Sequence, residues 1–280
     1  MKRFIVLGAS LLALMASLLV GCAGGELTEA EMEQVLTDVL TANAEVDTCK
    51  FDLNMQATIE MSGGPEPGGA SMLGSGTGVV DSAAREMHMI MNTIIDTPDD
   101  GEVELSAEYY VVDGWMHIKM NLPDQGEQWM KMQMPEEMWE AQSQIEQQLE
   151  LLETADEANY LGTEDVDGTP CYVVEIVASA EALGKLMSQY QLPEMEGVDL
   201  GEFDLTDMMK EMSVKQWVAK DSYLFMKTEN HILLEILPGN VGASEEEFGK
   251  ITEDITSEMK FYDYGEAVSI ELPEEALQAS

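Results

Sequence analysis

The side chains in this chain best able to do chemistry are its methionines, histidines and cysteines, and their spacing narrows what that chemistry is. Met87, Met89 and Met91 alternate around His88, Met116 and Met120 flank His117 and Ile118, and Met130, Met132 and Met134 alternate again. Thioethers are soft ligands, and a Met-x-Met group beside a histidine suits Cu(I) outside the cell. The alternation argues against it. In a strand, successive side chains point to opposite faces, so each histidine stands on the face its neighbouring methionines do not. The 22 methionines are spread over the whole chain, and the favoured reading is a methionine-rich inner face. Unbranched, polarizable methionine suits a pocket that must fit variable apolar cargo. No metal and no cofactor is expected.

Catalytic signatures are sparse. There are three histidines, and no serine sits in a nucleophile elbow. Asp96, Asp99, Asp100 and Glu102 do not follow a calcium loop, because Pro98 takes the third ligand place and Ala107 the twelfth. Gly74, Gly76 and Gly78 lack both the spacing and the following helix of a phosphate-binding loop. The chain is therefore expected to bind rather than catalyse, with no catalytic residue.

Cys22 is the remaining chemical candidate. Lys2 and Arg3 precede an apolar run from Phe4 to Val20, and no stop-transfer pattern follows, which makes residues 1–21 a secretory signal rather than a membrane span. The run ends in Leu19-Val20-Gly21-Cys22, which resembles the lipobox of bacterial-type lipoproteins. That resemblance implies cleavage before a cysteine carrying a thioether-linked diacylglycerol. Cys22 would be the lipidated first mature residue and 22–26 a short tether. Two or three acyl chains, at roughly 0.8 kcal/mol per buried CH₂, anchor stably where one does not. The expected location is the cell envelope, on the outer face of the cytoplasmic membrane, or the outer membrane in a cell that has one.

With 55 acidic against 13 basic residues and a net charge of −42, the chain repels nucleic acid and anionic head groups. Its 45% hydrophobic content separates it from a disordered acidic tail. Residues 27–280 are long for one domain but acceptable for a single large β architecture. After Cys22, Cys49 and Cys171 remain in a compartment where disulfides persist. A bridge between them would close a loop of about 120 residues and contribute on the order of 4–5 kcal/mol. Two buried free thiols fit the sequence equally well.

The elements that must position these residues are mostly strands. Thr28-x-x-Glu31 is a capping box, followed by Met32, Val35, Leu36, Val39 and Leu40 at helical spacing. From Lys50 the period becomes two, with Phe51, Leu53, Met55, Ala57, Ile59 and Met61 on one face. Strand patterns return at Gly76 to Val80, Arg85 to Ile95, Val103 to Val112, Trp115 to Met120 and Gln128 to Met134. Further runs span Tyr160 to Val166, Cys171 to Ala178, Val214 to Ala219, Tyr223 to Leu237 and Lys250 to Tyr262. Asp113-Gly114 and Asp167-Gly168 are tight hairpin signals. A helix with stripe Met138, Ile145, Leu149 and Leu152 follows Pro135, and a shorter helix covers Ala180 to Tyr190. Gln191 to Asp207 reads as a lid or as a packed surface loop. About nine or ten antiparallel strands with a few helices result.

Several landmarks coincide: Asp113-Gly114-Trp115 with Trp129-Met130-Lys131-Met132, the run from Gly162 to Val174, Gln216-Trp217-Val218-Ala219-Lys220-Asp221, and Tyr264 to Pro273. They resemble LppX/LprG-type and LolA/LolB-like lipoproteins over most of the mature chain. The resemblance implies an α+β fold, a large curved antiparallel sheet forming a LolA-like half-barrel wrapped around a few helices. It also implies an apolar cavity for acyl chains between sheet and helices. Candidate lining residues are Met87, Met89, Met91, Met116, Ile118, Met120, Met130, Met132, Met134, Met138, Ile145 and Leu149. The expected partner is a lipid or other apolar small molecule, alongside the membrane reached through the anchor; the sequence names no protein partner. The alternative is an envelope accessory protein whose sheet is filled by its own side chains and which acts through protein contacts. Cys22→Ser should leave an unprocessed precursor that takes up no labelled fatty acid, and normal processing and labelling of that variant would end the lipoprotein reading.

Overall fold

The computed structural model describes residues 27–63, 68–98, 101–122, 126–134, 139, 155–178, 208–241 and 249–278. Helix α1 (Glu29–Ala44) begins at the expected capping box: the Thr28 hydroxyl accepts from the Glu31 amide at 3.3 Å, and Glu31 accepts from the Thr28 amide at 2.8 Å. Its stripe of Met32, Val35 and Val39 is buried. Its far end is fixed by Asn43, itself buried. The Asn43 amide donates to the Tyr223 carbonyl at 2.8 Å, and its oxygen accepts from the Phe225 amide at 3.1 Å.

Among the described residues eleven strands follow, against the nine or ten expected: β1 (Thr48–Ser62), β2 (Gly68–Asp81), β3 (Glu86–Thr97), β4 (Gly101–Val112), β5 (Trp115–Leu122), β6 (Gly126–Gln133), β7 (Ala155–Val166), β8 (Thr169–Ala178), β9 (Met209–Ala219), β10 (Phe225–Ile236) and β11 (Lys250–Tyr262). They form one antiparallel sheet in the order β6-β5-β4-β3-β2-β1-β11-β10-β9-β8-β7. Both Asp-Gly pairs make two-residue hairpins with positive φ at each position, 52° and 74° at Asp113 and Gly114 and 51° and 90° at Asp167 and Gly168. Gly76 to Val80 proves to be the end of a 14-residue strand whose glycines hide its pattern.

The fold is thus mostly β, an open sheet with a single α-helix of any length among the described residues, rather than a half-barrel clearly wrapped around several helices. The helices expected at 135–152 and 180–190, and the loop at 191–207, lie outside the described residues save Trp139, as do the signal and Cys22.

One end of one sheet face meets α1. Val35 and Val39 join Cys49, Phe51, Val80, Met87, Val111, Met116, Ile176, Val214, Val218, Phe225, Met259 and Phe261 in a single buried cluster. After β11 the chain doubles back. Tyr264 donates to the Phe225 carbonyl beneath this cluster, Gly265 donates to the Thr48 carbonyl at 2.9 Å, and the Thr48 hydroxyl donates to Glu266 at 2.8 Å. The segment then crosses the opposite face, where Ala276 is fully buried beside His117.

The disulfide left open by the sequence does not form: Cys49 and Cys171 are free and buried. Topology forbids it. β1 and β8 are four strand positions apart, roughly 19 Å at the usual inter-strand spacing, well beyond bridging distance. The two also face opposite ways, since Cys49 packs with Phe51 under α1 and Cys171 packs with Val166, Val173 and Trp217 on the other face. Burial pushes the Cys49 thiol up to about 12 and the Cys171 thiol up to about 11. Both cysteines should therefore titrate as free thiols once denatured without reductant, yet resist iodoacetamide in the native protein at pH 8. A reductant-sensitive gain of mobility on non-reducing gels, or prompt native alkylation of both, would contradict this geometry.

Candidate ligand-binding face

The registers bring the three methionine triplets together on the α1 side of the sheet. Met87, Val111, Met116 and Met132 form one cross-strand row, Met89, Tyr109, Ile118 and Met130 the next, and Met91, Ala107, Met120 and Gln128 the third. These rows are not equivalent. Met87, Met116 and Met134 are core, and Met89 and Ile118 pack against it. Met91 and Met120 are half-buried, while Met130 and Met132, on terminal strand β6, are 44% and 47% exposed. Met138, Ile145 and Leu149 lie outside the described residues.

The same face continues across the rest of the sheet. On β2 it carries Gly74, Gly76 and Gly78, which leave a trough that neighbouring side chains fill. A Cβ on Gly78 would stand 2.3 Å from the Phe51 ring, and one on Gly74 3.2 Å from the Met91 methyl. These glycines are thus packing devices, the role that the missing phosphate-loop pattern leaves for them. Beyond Phe51, β1 presents Leu53, Met55, Ala57, Ile59 and Met61, and β11 and β10 present Ile255, Ile251, Ile232, Leu234 and Ile236 in register. Apart from buried Ala57, these side chains are half-buried, or exposed in the case of Met61. A largely apolar surface thus runs from an end buried under α1 to an end whose side chains are mostly half-buried.

Sequence reasoning missed a polar interruption in this surface. Thr228 stands between Met259 and Gln216, and Asn230 stands between Ser257 and Val214. Thr228 and Gln216 are fully buried. The Asn230 amide donates to the Ser257 hydroxyl at 3.2 Å, whereas the Thr228 hydroxyl and the Asn230 oxygen are buried without a partner among the described residues. The only signal in the sequence is that the alternating face of β10 opens with Thr228 and Asn230 before settling into Ile232, Leu234 and Ile236.

The opposite face holds most of the charged groups. His88 reaches Glu108 at 2.9 Å and stacks on Tyr110 at 4.4 Å between centroids, and the Tyr110 hydroxyl donates to Glu108 at 2.6 Å. Burial raises the Glu108 pKa, but the bonds from Tyr110 and His88 outweigh it and leave the carboxyl below its usual range. His117 is lowered by burial and by Lys131, with its bond to the Ala276 backbone opposing. Both histidines therefore face away from their methionine neighbours. Among the described residues, no three of His, Cys, Asp and Glu are grouped to hold a metal ion. A groove of about 650 Å³ also lies on this face, lined by Asn54, Gln56, Ser75, Asn92 and Thr256 together with the apolar Leu73 and Ile94. No helix among the described residues is long and apolar enough to cross a membrane.

Fold and face together define a protein built on a large open antiparallel sheet, with one polar side and one apolar side partly covered by an N-terminal helix. The chain belongs to the DUF6612 family, a family of unknown function, whose model matches residues 31–280. No curated protein matches it. Among solved structures it is similar to LprF from Mycobacterium bovis, at 11% identity and a TM-score of 0.47, covering 89% of this chain and 99% of that one. It is also similar to the lipoprotein LppX of Mycobacterium tuberculosis, at 11% identity and a TM-score of 0.46, covering 87% and 100%. A DUF1329 family protein from Desulfovibrio piger follows at 12% identity and a TM-score of 0.29, covering 88% and 98%. LppX, whose type the sequence landmarks resemble, is thus among the structures this chain is similar to.

Proposed function

We propose that this protein is a membrane-anchored extracytoplasmic lipoprotein that binds or carries a lipid or other hydrophobic ligand on the apolar face of its sheet, and that it is not an enzyme. The observation that carries the reading is the size of that face relative to its described cover. Helix α1 and the buried cluster fill one end, while the rows through Met55, Ile255 and Ile232 continue the apolar surface with half-buried side chains. An apolar surface of this extent needs an occupant, and methionine-lined surfaces adapt to occupants of varied shape. The finer LolA-like picture, with acyl chains held between the sheet and its helical cover, goes with this proposal.

The lipid anchor at Cys22 belongs to the same reading, since it would hold the binding face close to a membrane that supplies or receives the ligand. Because Met87 and Met116 are core and Ile118 packs against it, the ligand space is assigned to the end of the face that α1 does not reach. Full-length protein purified in detergent from its own host should carry co-purifying lipid by native mass spectrometry. Ile255→Trp and Ile232→Trp, each filling that end, should lose the lipid with little change in thermal unfolding. Overpacking of a solid core would instead cost about 1–3 kcal/mol. Tryptophan variants that unfold, or that retain the lipid of the parent, would refute a binding space at this place.

A further inference from the structure

The polar interruption in the apolar face restricts what can bind there, and this step rests on the proposed function. Thr228 and Asn230 occupy successive same-face positions of β10, next to Ile232 and across from Met259 and Ser257. Two of their oxygens are buried without a partner, and Thr228 has no exposed surface at all. Buried polar groups are normally bonded, so a pair left open side by side in an apolar surface calls for a partner beyond the described residues. An amide oxygen only accepts, and with the Asn230 nitrogen donating to Ser257 it is this acceptor that is left open. The Thr228 hydroxyl can accept or donate. The partner must therefore supply at least one O–H or N–H donor.

Charge narrows the choice further. Every lysine with a registered partner in the sheet stands on the opposite face, and Glu253 stands on this one, between Ile59 and Leu234. An ionised phosphate or carboxylate head would enter an apolar surface with no counter-charge among the described residues, at a prohibitive desolvation cost. We infer that the ligand is a lipid with an uncharged, hydroxyl-bearing head of the mono- or diacylglycerol type. Its head would sit at Thr228 and Asn230, with its acyl chain along Ile232, Ile255 and Met212. Thr228 and Asn230 are then specificity-determining residues.

Native mass spectrometry of the full-length protein with equimolar dioleoylglycerol, trioleoylglycerol and dioleoylphosphatidylglycerol tests this. Dioleoylglycerol should be retained about tenfold better than trioleoylglycerol, which lacks the donor, and better still than the anionic lipid. Thr228→Val and Asn230→Leu should each bring the first ratio to within about twofold; the melting temperature of Thr228→Val should hold or rise, because removing an unpartnered buried hydroxyl does not destabilise, whereas Asn230→Leu also gives up the bond to Ser257 and should lower it modestly. Thr228→Ser keeps the hydroxyl and should keep the preference, which separates lost recognition from a damaged fold. A parent without preference for dioleoylglycerol, or valine and leucine variants that retain it, would overturn the inference and leave internal water as the partner of these oxygens. A parent that binds none of the three lipids, and carries none from its host, would overturn the proposed function itself.

Discussion

The pairing of β1 with β11 is the contact on which everything else depends. Thirteen residue pairs in register, from Lys50 with Tyr262 to Ser62 with Lys250, join the first strand of the chain to the last. On either side the sheet is a meander of neighbouring strands, β1 to β6 and β7 to β11, each built from short-range pairings. Closing the seam costs the entropy of a long loop, a cost that grows only slowly with length. What the seam gains is shared core. The cluster under α1 draws Cys49, Phe51, Val80, Met87 and Val111 from one meander, and Ile176, Val214, Val218, Phe225 and Phe261 from the other. Neither half alone offers the helix a surface of that width.

Around the seam the molecule divides its chemistry by face. The polar side carries the lysines and most of their partners, such as Lys227 between Glu229 and Glu258 and 3.7 Å above the Trp217 ring. Such pairs contribute little individually at an exposed surface. Their importance is negative: with the sheet's registered lysines confined to one side, the other carries little charge, Glu253 apart, and is mainly apolar. The excess of acid makes the molecule strongly repulsive toward its own copies and toward anionic surfaces. That property suits a protein whose apolar face is covered only in part by the described residues.

The tail after β11 closes the arrangement. Tyr264 reaches beneath the helix-covered cluster while Gly265 and Glu266 bond Thr48, so the end of the chain secures the same end of the sheet that α1 covers. Asn43 does the same from the helix, tying its last turn to the β9–β10 hairpin. That end of the face is held from both sides and is rigidly filled. The remaining length is where a changeable occupant is compatible with the packing.

Local physics was legible in the sequence. The capping box, the helical stripe, the two Asp-Gly hairpins and the parity of methionine against histidine depend only on residues a few positions apart, where backbone geometry leaves few choices. The gathering of three methionine triplets into adjacent rows was foreshadowed by the same parity. Strand order was not legible, because hairpin signals fix neighbours in sequence while the β1–β11 seam joins residues about two hundred positions apart. The cysteines show the consequence: both open strands, and only the sheet order reveals that four strand spacings and opposite faces separate them. Gly74, Gly76 and Gly78 and the pair Thr228 and Asn230 were equally mute. A glycine's role depends on which ring lies over it, and a buried oxygen's need depends on which partners the fold brings near. Periodicity determines which face a side chain occupies, and only the packed sheet decides what that face must hold.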